Sequence, residues 1–273
     1  MPLRLTYRAD TSVPVEVEGL LPHAVRAMSL PEIERLEFVH GNEKRPLADF
    51  FAVAGNPGDN RIELEGKLAG VHWIGAKLSD GAIHVAGDVG RHAGSEMSGG
   101  QIHIDGDAGD WAGGEMHGGL IHIRGRAGDH LGAAYRGSKR GMTGGTILVE
   151  GAAGHEIGHT MRRGLLAVGG CGDFAGINMI AGTILVFGPA GIRPAAGMRR
   201  GTLGLFGSNP PTLLPTFRAG SRAKPLVLEL LFRELRALGY PVHERLSTSD
   251  YRTYHGDLVT VGRGEILVAE GAG

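Results

Sequence analysis

The chain has 273 residues, 42% of them hydrophobic, and a formal net charge of −1. That size and balance fit a folded protein of one or two domains, while near-neutral charge with 5% aromatic residues argues against a nucleic-acid partner. No apolar run approaches a membrane span, the opening MPLRLTYRAD carries no apolar signal region, and the single cysteine, Cys171, allows no internal disulfide, so a cytoplasmic location is expected.

Residues 1–60 read as an N-terminal capping region. Leu3, Leu5 and Tyr7 alternate as a strand, and Val13, Val15 and Val17 suggest a second. A helix is expected from Ser29 or Pro31 to about Phe38, with proline at its first position. Pro46 to Phe51 adds a turn.

From about residue 61 to 210 the chain repeats. Met97, Met116, Met142, Met161, Met179 and Met198 each stand three residues before a glycine, and Leu78 holds the same place before Gly81. The steps along this column are 19, 19, 26, 19, 18 and 19 residues. After each glycine runs G-x-apolar-x-apolar-x-G, as in Gly100-Gln-Ile102-His-Ile104-Asp-Gly106, and a degenerate first copy shows at Ile62, Leu64 and Gly66. Alternation with β-branched residues marks short strands with one buried face, and self-similarity at this period marks a solenoid. The expected fold is all-β dominated: a right-handed parallel β-helix of about eight coils, some 35 Å long at about 4.8 Å per strand, with α+β caps at both ends. Methionine fills irregular interiors, so its column is core. A column of small residues, Val89, Ala108, Ala127, Ala153, Gly172 and Ala190, marks where the interior narrows.

Residues 211–273 are expected to cap and dock. Pro211 to Lys224 reads as irregular, Pro225 to Leu238 as a leucine-rich helix stopped by Gly239, and Leu258–Val261 and Ile266–Val268 as strands.

Several patterns suggest chemistry. His155-Glu156-Ile157-Gly158-His159 matches the zinc-protease signature, but that chemistry needs an α-helix. Here the segment lies inside a coil, where extended chain would hold the histidines about 13 Å apart, so no zinc is expected. His84, His103 and His122 share one outward position in successive coils; an exposed strand face is preferred to a metal ladder, since no carboxylate or cysteine is evident in register. Asp105-Gly-Asp107-Ala-Gly-Asp110 lacks the remaining ligands of a calcium loop. Cys171 has no histidine partner in sequence and reads as a neutral thiol. No catalytic or metal residue is therefore assigned. The remaining feature is basic. The 26-residue step inserts a loop with Arg136, Lys139 and Arg140, and Arg162-Arg163 and Arg199-Arg200 follow the methionine column directly. Stacking would gather these on one corner, suited to an acidic partner or an anionic cofactor tail; a solvated corner is the competing reading.

The coil motif with its terminal Met198-Arg-Arg-Gly201 resembles the GXGXG β-helix, a domain that also ends the large subunit of glutamate synthase. With the closing Gly256-Asp-Leu-Val-Thr-Val-Gly-Arg-Gly-Glu-Ile-Leu267, the helix at 225–238 and a cap of this length, the whole chain resembles the C-type subunit family of formylmethanofuran dehydrogenase. One branch belongs to a molybdenum or tungsten dehydrogenase of methanogenic archaea. The other belongs to the formyltransferase/hydrolase complex of methylotrophic bacteria, where formyl passes from tetrahydromethanopterin to a methanofuran-type cofactor and leaves as formate. The Ala/Arg/Gly-rich composition leans to the bacterial branch. The resemblance implies a scaffold role, with catalysis in an amidohydrolase-like subunit that holds metals, a dehydrogenase B-like subunit and a formyltransferase subunit. A left-handed β-helix acyltransferase fits poorly, since it repeats by hexapeptides.

Overall fold

A computed structural model describes residues 1–270. The N-terminal part contains β1 (Leu3–Tyr7), β2 (Val15–Glu16), α1 (Pro22–Val25), α2 (Leu30–Glu34), β3 (Glu37–His40), β4 (Glu43–Pro46) and β5 (Phe51–Ala54). The repeat region follows with β6 (Arg61–Glu65), β7 (Val71–His72), β8 (Ala82–Ala86), β9 (Gln101–Ile104), β10 (Leu120–Ile123), β11 (Thr146–Ala153), β12 (Leu165–Cys171), β13 (Thr183–Val186) and β14 (Arg200–Leu205). The chain closes with β15 (Arg218–Ala223), α3 (Leu226–Ala237), α4 (Arg245–Thr248), β16 (Tyr251–Gly256) and β17 (Arg263–Ala269).

Among the described residues, one sheet of 13 strands dominates, in the order β15-β16-β17-β14-β13-β12-β11-β10-β9-β8-β6-β1-β5. From β1 through β14 to β17 the pairs are parallel and in register. Ile83 pairs with Ile102, Ile102 with Ile121, Ile121 with Ile147, and the ladder runs on through Leu166, Ile184 and Leu203 to Ile266. Slipping any strand by one residue would turn its buried set outward, so the apolar alternation enforces this register. The turns stack as well: His92 N–H donates to Asp110 O at 2.9 Å, and Trp111 N–H to Asp129 O at 2.8 Å. Both ends of the sheet change direction, with β5 antiparallel to β1, and β17, β16 and β15 successively antiparallel. A second sheet of four short strands, β4-β3-β2-β7, covers the N-terminal end.

All six methionines of the column, and Leu78, are fully buried. They interlock with the glycines of the next repeat. A Cβ at Gly119 would meet Met97 Cε at 2.6 Å, one at Gly145 would meet Met116 Cε at 2.7 Å, and one at Gly164 would meet Met142 Cε at 2.7 Å. The methionine of one repeat and the strand-opening glycine of the next are thus two halves of one packing device.

Several expectations are corrected. The helix expected up to Phe38 ends at Glu34, because Glu37 onward pairs as the β3–β4 hairpin. Pro211 to Lys224 is not wholly irregular: Arg218–Ala223 is an edge strand whose Arg, Ala, Gly and Ser residues, none of them buried, give no apolar alternation to detect. Leu258–Val261 is a turn with exposed side chains, not a strand. In the small-residue column Cys171, not Gly172, takes the fifth place, bridging to Ala153 and Ala190 after a register shift in β11. No helix among the described residues is long and apolar enough to cross a membrane.

Candidate functional site

The outer face of the large sheet carries a column that changes character along the stack. It runs Glu63, His84, His103, His122, then Leu148, Ala167, Leu185, Gly204 and Leu267. Leu228, Phe232 and Leu235 of α3, with Tyr240, pack on the aliphatic half and form a second core there. The Tyr240 hydroxyl donates to Val149 O at 3.2 Å.

The histidine half lies beyond this helix. His84 Nε2 is 2.8 Å from Asp105 Oδ2, His122 Nε2 is 2.9 Å from Glu150 Oε1, and Arg124 reaches Asp105 Oδ1 at 3.1 Å. Two carboxylates therefore do stand beside the ladder, and His122 is buried rather than on an exposed face. The expectation that no carboxylate stands in register failed because neighbouring strands supply residues that sequence spacing does not reveal, while His84 and His103 remain partly exposed. Burial, then the neighbouring His122 and His84, hold the His103 imidazole below its ordinary pKa. The three histidines, Asp105 and Arg124 line a cavity of about 240 Å³. Asp105 and Glu150 lock imidazoles in place, and among the described residues no group of three or more His, Cys, Asp or Glu is arranged to hold a metal.

The basic corner is assembled by the stacking. Backbone N–H groups of Arg162, Ile180 and Arg199 donate to the carbonyls of Met142, Met161 and Met179 at 2.9, 2.8 and 2.8 Å, so the three side chains stand on successive rungs. Arg162, Arg163, Arg199 and Arg200 line one cavity of about 570 Å³ together with Val261. Lys139 and Arg199 line an adjoining cavity of about 410 Å³. Arg136 and Arg140 are exposed on the inserted loop but line neither cavity. Arg263, which the sequence reading missed, pairs with Arg200 across β14 and β17. Among the described residues none of these eight cations has a carboxylate within 4.0 Å.

The inserted loop is pinned by Tyr135. Its hydroxyl donates to Ser95 Oγ at 2.8 Å and lies 2.9 Å from His92 Nδ1, and Ser95 Oγ donates to Trp111 O at 3.1 Å. The Tyr135 ring stacks on Trp111 at 4.8 Å, within a set that includes Trp73 on His92 at 4.1 Å and Trp111 on His130 at 4.3 Å. Burial of His92, then the charges of His72 and Arg91, push its pKa down to about 4, so the ring is neutral; with the Tyr135 proton given to Ser95, the tautomer that fits carries its proton on Nδ1. The signal was present in sequence: residues 73, 92, 111 and 130 share one register.

The other patterns are structural. His155–His159 is neither helix nor extended strand; positive φ at Glu156 (55°) and Gly158 (64°) makes it a turn. The extended 13 Å separation expected from sequence therefore does not apply, and Glu156 Oε2 sits 3.7 Å from both His130 and His159. Asp88, Asp107, Asp110, Asp129 and Asp173 each accept a backbone N–H from the next repeat, at 2.7–3.0 Å. The Asp-Gly-Asp segment thus belongs to a ladder that ties turns together. Burial pushes the Cys171 thiol up to about 11, so it is neutral at physiological pH.

No family model matches the chain. It is similar to the C-type subunit of the formyltransferase/hydrolase complex Fhc of Methylorubrum extorquens, 52% identical over 264 residues that cover 97% of this chain and 98% of the relative. It is also similar to the C-type subunit of the molybdenum-containing formylmethanofuran dehydrogenase 1 of Methanothermobacter thermautotrophicus, 42% identical over 91 residues. That matched stretch spans only 23% of the archaeal relative's length. Among solved structures, the chain resembles one in the crystal structure of the Methylorubrum extorquens formyltransferase/hydrolase complex with methylofuran. The TM-score is 0.90, with 38% identity over the superposition, covering 97% of this chain and 98% of the other.

Proposed function

The chain belongs to the family of C-type subunits of formylmethanofuran dehydrogenase, and from that membership we propose that it works as the C-type subunit of a formyltransferase/hydrolase complex. In this reading the complex moves formyl from tetrahydromethanopterin to a methanofuran-type cofactor and releases formate. The observation that carries it is the end-to-end match. Both flanks and the repeats align with the bacterial relative over 97% of the chain, whereas the archaeal relatives align over a third of it.

The chain acts as a scaffold. Its 1–60 and 211–273 flanks close and dock a 61–210 solenoid, wound as a right-handed parallel β-helix of about eight coils; in-register parallel strands and stacked turns support that winding. Residues 271–273 lie outside the described part of the last flank. Catalysis belongs to the neighbouring amidohydrolase-like, dehydrogenase B-like and formyltransferase subunits, with metals held by the first. The short acid–base contacts on this chain support that division, because His84–Asp105 and His122–Glu150 are internal locks. The basic corner formed by Arg162, Arg163, Arg199, Arg200 and Lys139 is its contact with either a protein neighbour or an anionic cofactor tail. The assembly works in the cytoplasm.

A tagged chain purified from its own host, followed by mass spectrometry, tests this. Co-purified amidohydrolase-like and formyltransferase subunits are expected. A molybdopterin subunit in their place would assign the archaeal-type dehydrogenase, and turnover by the chain alone would remove the scaffold role.

A further inference from the structure

The last rung of the basic corner is followed by the turn 257–262, which the structure holds rigid. Asp257, itself 3% exposed, accepts hydrogen bonds from Gly197 N–H at 3.0 Å and Val259 N–H at 3.1 Å. The Thr260 hydroxyl donates to Met198 O at 2.7 Å. While anchored in this way, the turn leaves Leu258, Val259 and Val261 exposed at 49, 75 and 52%. Three apolar side chains held out of the core by a buried carboxylate are costly to leave in water. Val261 lines the same cavity as the four arginines, so the apolar knob and the cationic rungs form one continuous surface.

Resting on the reading of the chain as a subunit, we propose that the turn 257–262 and the Arg162/Arg199 corner are one docking surface, for a partner protein of the complex that presents carboxylates around an apolar recess. Charge complementarity gives the sign: the corner's cations lack carboxylate partners within 4.0 Å among the described residues. The geometry distinguishes a protein from a small anion. Arg162 and Arg199 are two rungs apart, about 10 Å between backbone positions, and the apolar Val261 beside them extends the surface past the cations. An anionic tail would also leave the knob in water, whereas a protein surface buries an apolar anchor inside a polar rim. The anchored turn needs no ordering on binding, which favours association.

The test co-expresses the tagged full-length chain with the other subunits of its complex and compares wild type, R162E/R199E and V259S/V261S. Partner recovery should fall at least about tenfold for each double variant, equivalent to about 1.4 kcal/mol, with far-UV circular dichroism of the free chain unchanged. Wild-type assembly should also weaken as salt rises, and V259S/V261S should keep that salt slope while R162E/R199E loses it. A second measurement covers variants that fold poorly: a photo-crosslinking amino acid at position 259 of the otherwise wild-type chain should yield an adduct with one partner protein. Wild-type assembly by both variants, or no adduct, overturns the proposal. Unchanged assembly with a raised KM for the methanofuran-type cofactor also overturns it, in favour of the cofactor tail. Failure of the wild-type chain to recover any partner would instead refute the subunit reading on which the proposal rests.

Discussion

The interlock of methionine and glycine can be tested by a double-mutant cycle on Met116 and Gly145. Gly145 has φ of +89°, and a Cβ there would meet Met116 Cε at 2.7 Å and Gly118 C and Gly119 O at 2.9 Å. Gly145→Ala therefore carries two costs: about 1–2 kcal/mol for an L-residue in the left-handed region and about 1–3 kcal/mol for overpacking. Met116→Ala opens a cavity at a fully buried site and should cost about 2–5 kcal/mol. In the double variant the methyl is gone, so part of the overpacking disappears while the backbone strain and the contact with Gly118–Gly119 remain. The double variant should thus be less damaged than the sum by about 1–2 kcal/mol, within the usual range for contacting residues. Urea unfolding of the full-length chain, followed by circular dichroism with the slope checked for constancy, measures each corner of the cycle. Additivity within about 0.5 kcal/mol would show that the two positions do not share space and would refute the packing argument.

Other outcomes follow from groups outside the methionine column. Tyr135→Phe strips partners from His92 and Ser95 and should cost about 1–3 kcal/mol; Tyr135→Ala should also free the loop, read as faster tryptic cleavage after Arg136, Lys139 and Arg140. His92 is held down to about 4 in the fold, chiefly by burial, against about 6.5 when unfolded. The unfolded chain takes up the proton first, so this contribution is complete above about pH 6.5 and declines as pH falls toward about 4. His92→Gln should flatten that part of the stability–pH curve, and an unchanged curve would exclude His92 as its source. Phe232→Ala, at the centre of the α3 packing, should cost about 3–5 kcal/mol and speed hydrogen exchange in residues 226–240. The partly buried Cys171 thiol, pushed up to about 11, should react only slowly with iodoacetamide at pH 8 until the chain is unfolded; rapid labelling of the native chain would contradict the raised value.

The repeat region was legible because its physics is periodic. A 19-residue recurrence of Met, Gly and Ile/Val states the burial of every strand at once, and the in-register ladders follow from it. The same periodicity located the basic corner, since Arg162 and Arg199 share a column. Legibility failed where the chain leaves the period. Leu258–Val261 has strong strand propensity, yet Asp257 and Thr260 pin it as a turn, and only tertiary contacts decide between those outcomes. Edge strand β15 had no apolar alternation to read. The change from His122 to Leu148 in one outward column was a usable signal that was not taken: it marks where α3 begins to cover the sheet.

The antiparallel strands at the two ends of the large sheet have a consequence for length. An in-register parallel stack is a template for another copy of itself, and an open parallel edge would invite a second molecule to continue it. Here β5 and β15 reverse the hydrogen-bonding pattern, and β15 carries Arg218 and Arg222 on its rim. Between those stops lie β1, β6, β8 to β14 and β17, stepping about 4.8 Å each, so that Leu3 and Ile266 are about 43 Å apart. The chain is a ruler with stops at both ends. Whatever binds near one end is held at a set distance from whatever binds near the other, and one added repeat would lengthen that distance by a single strand spacing.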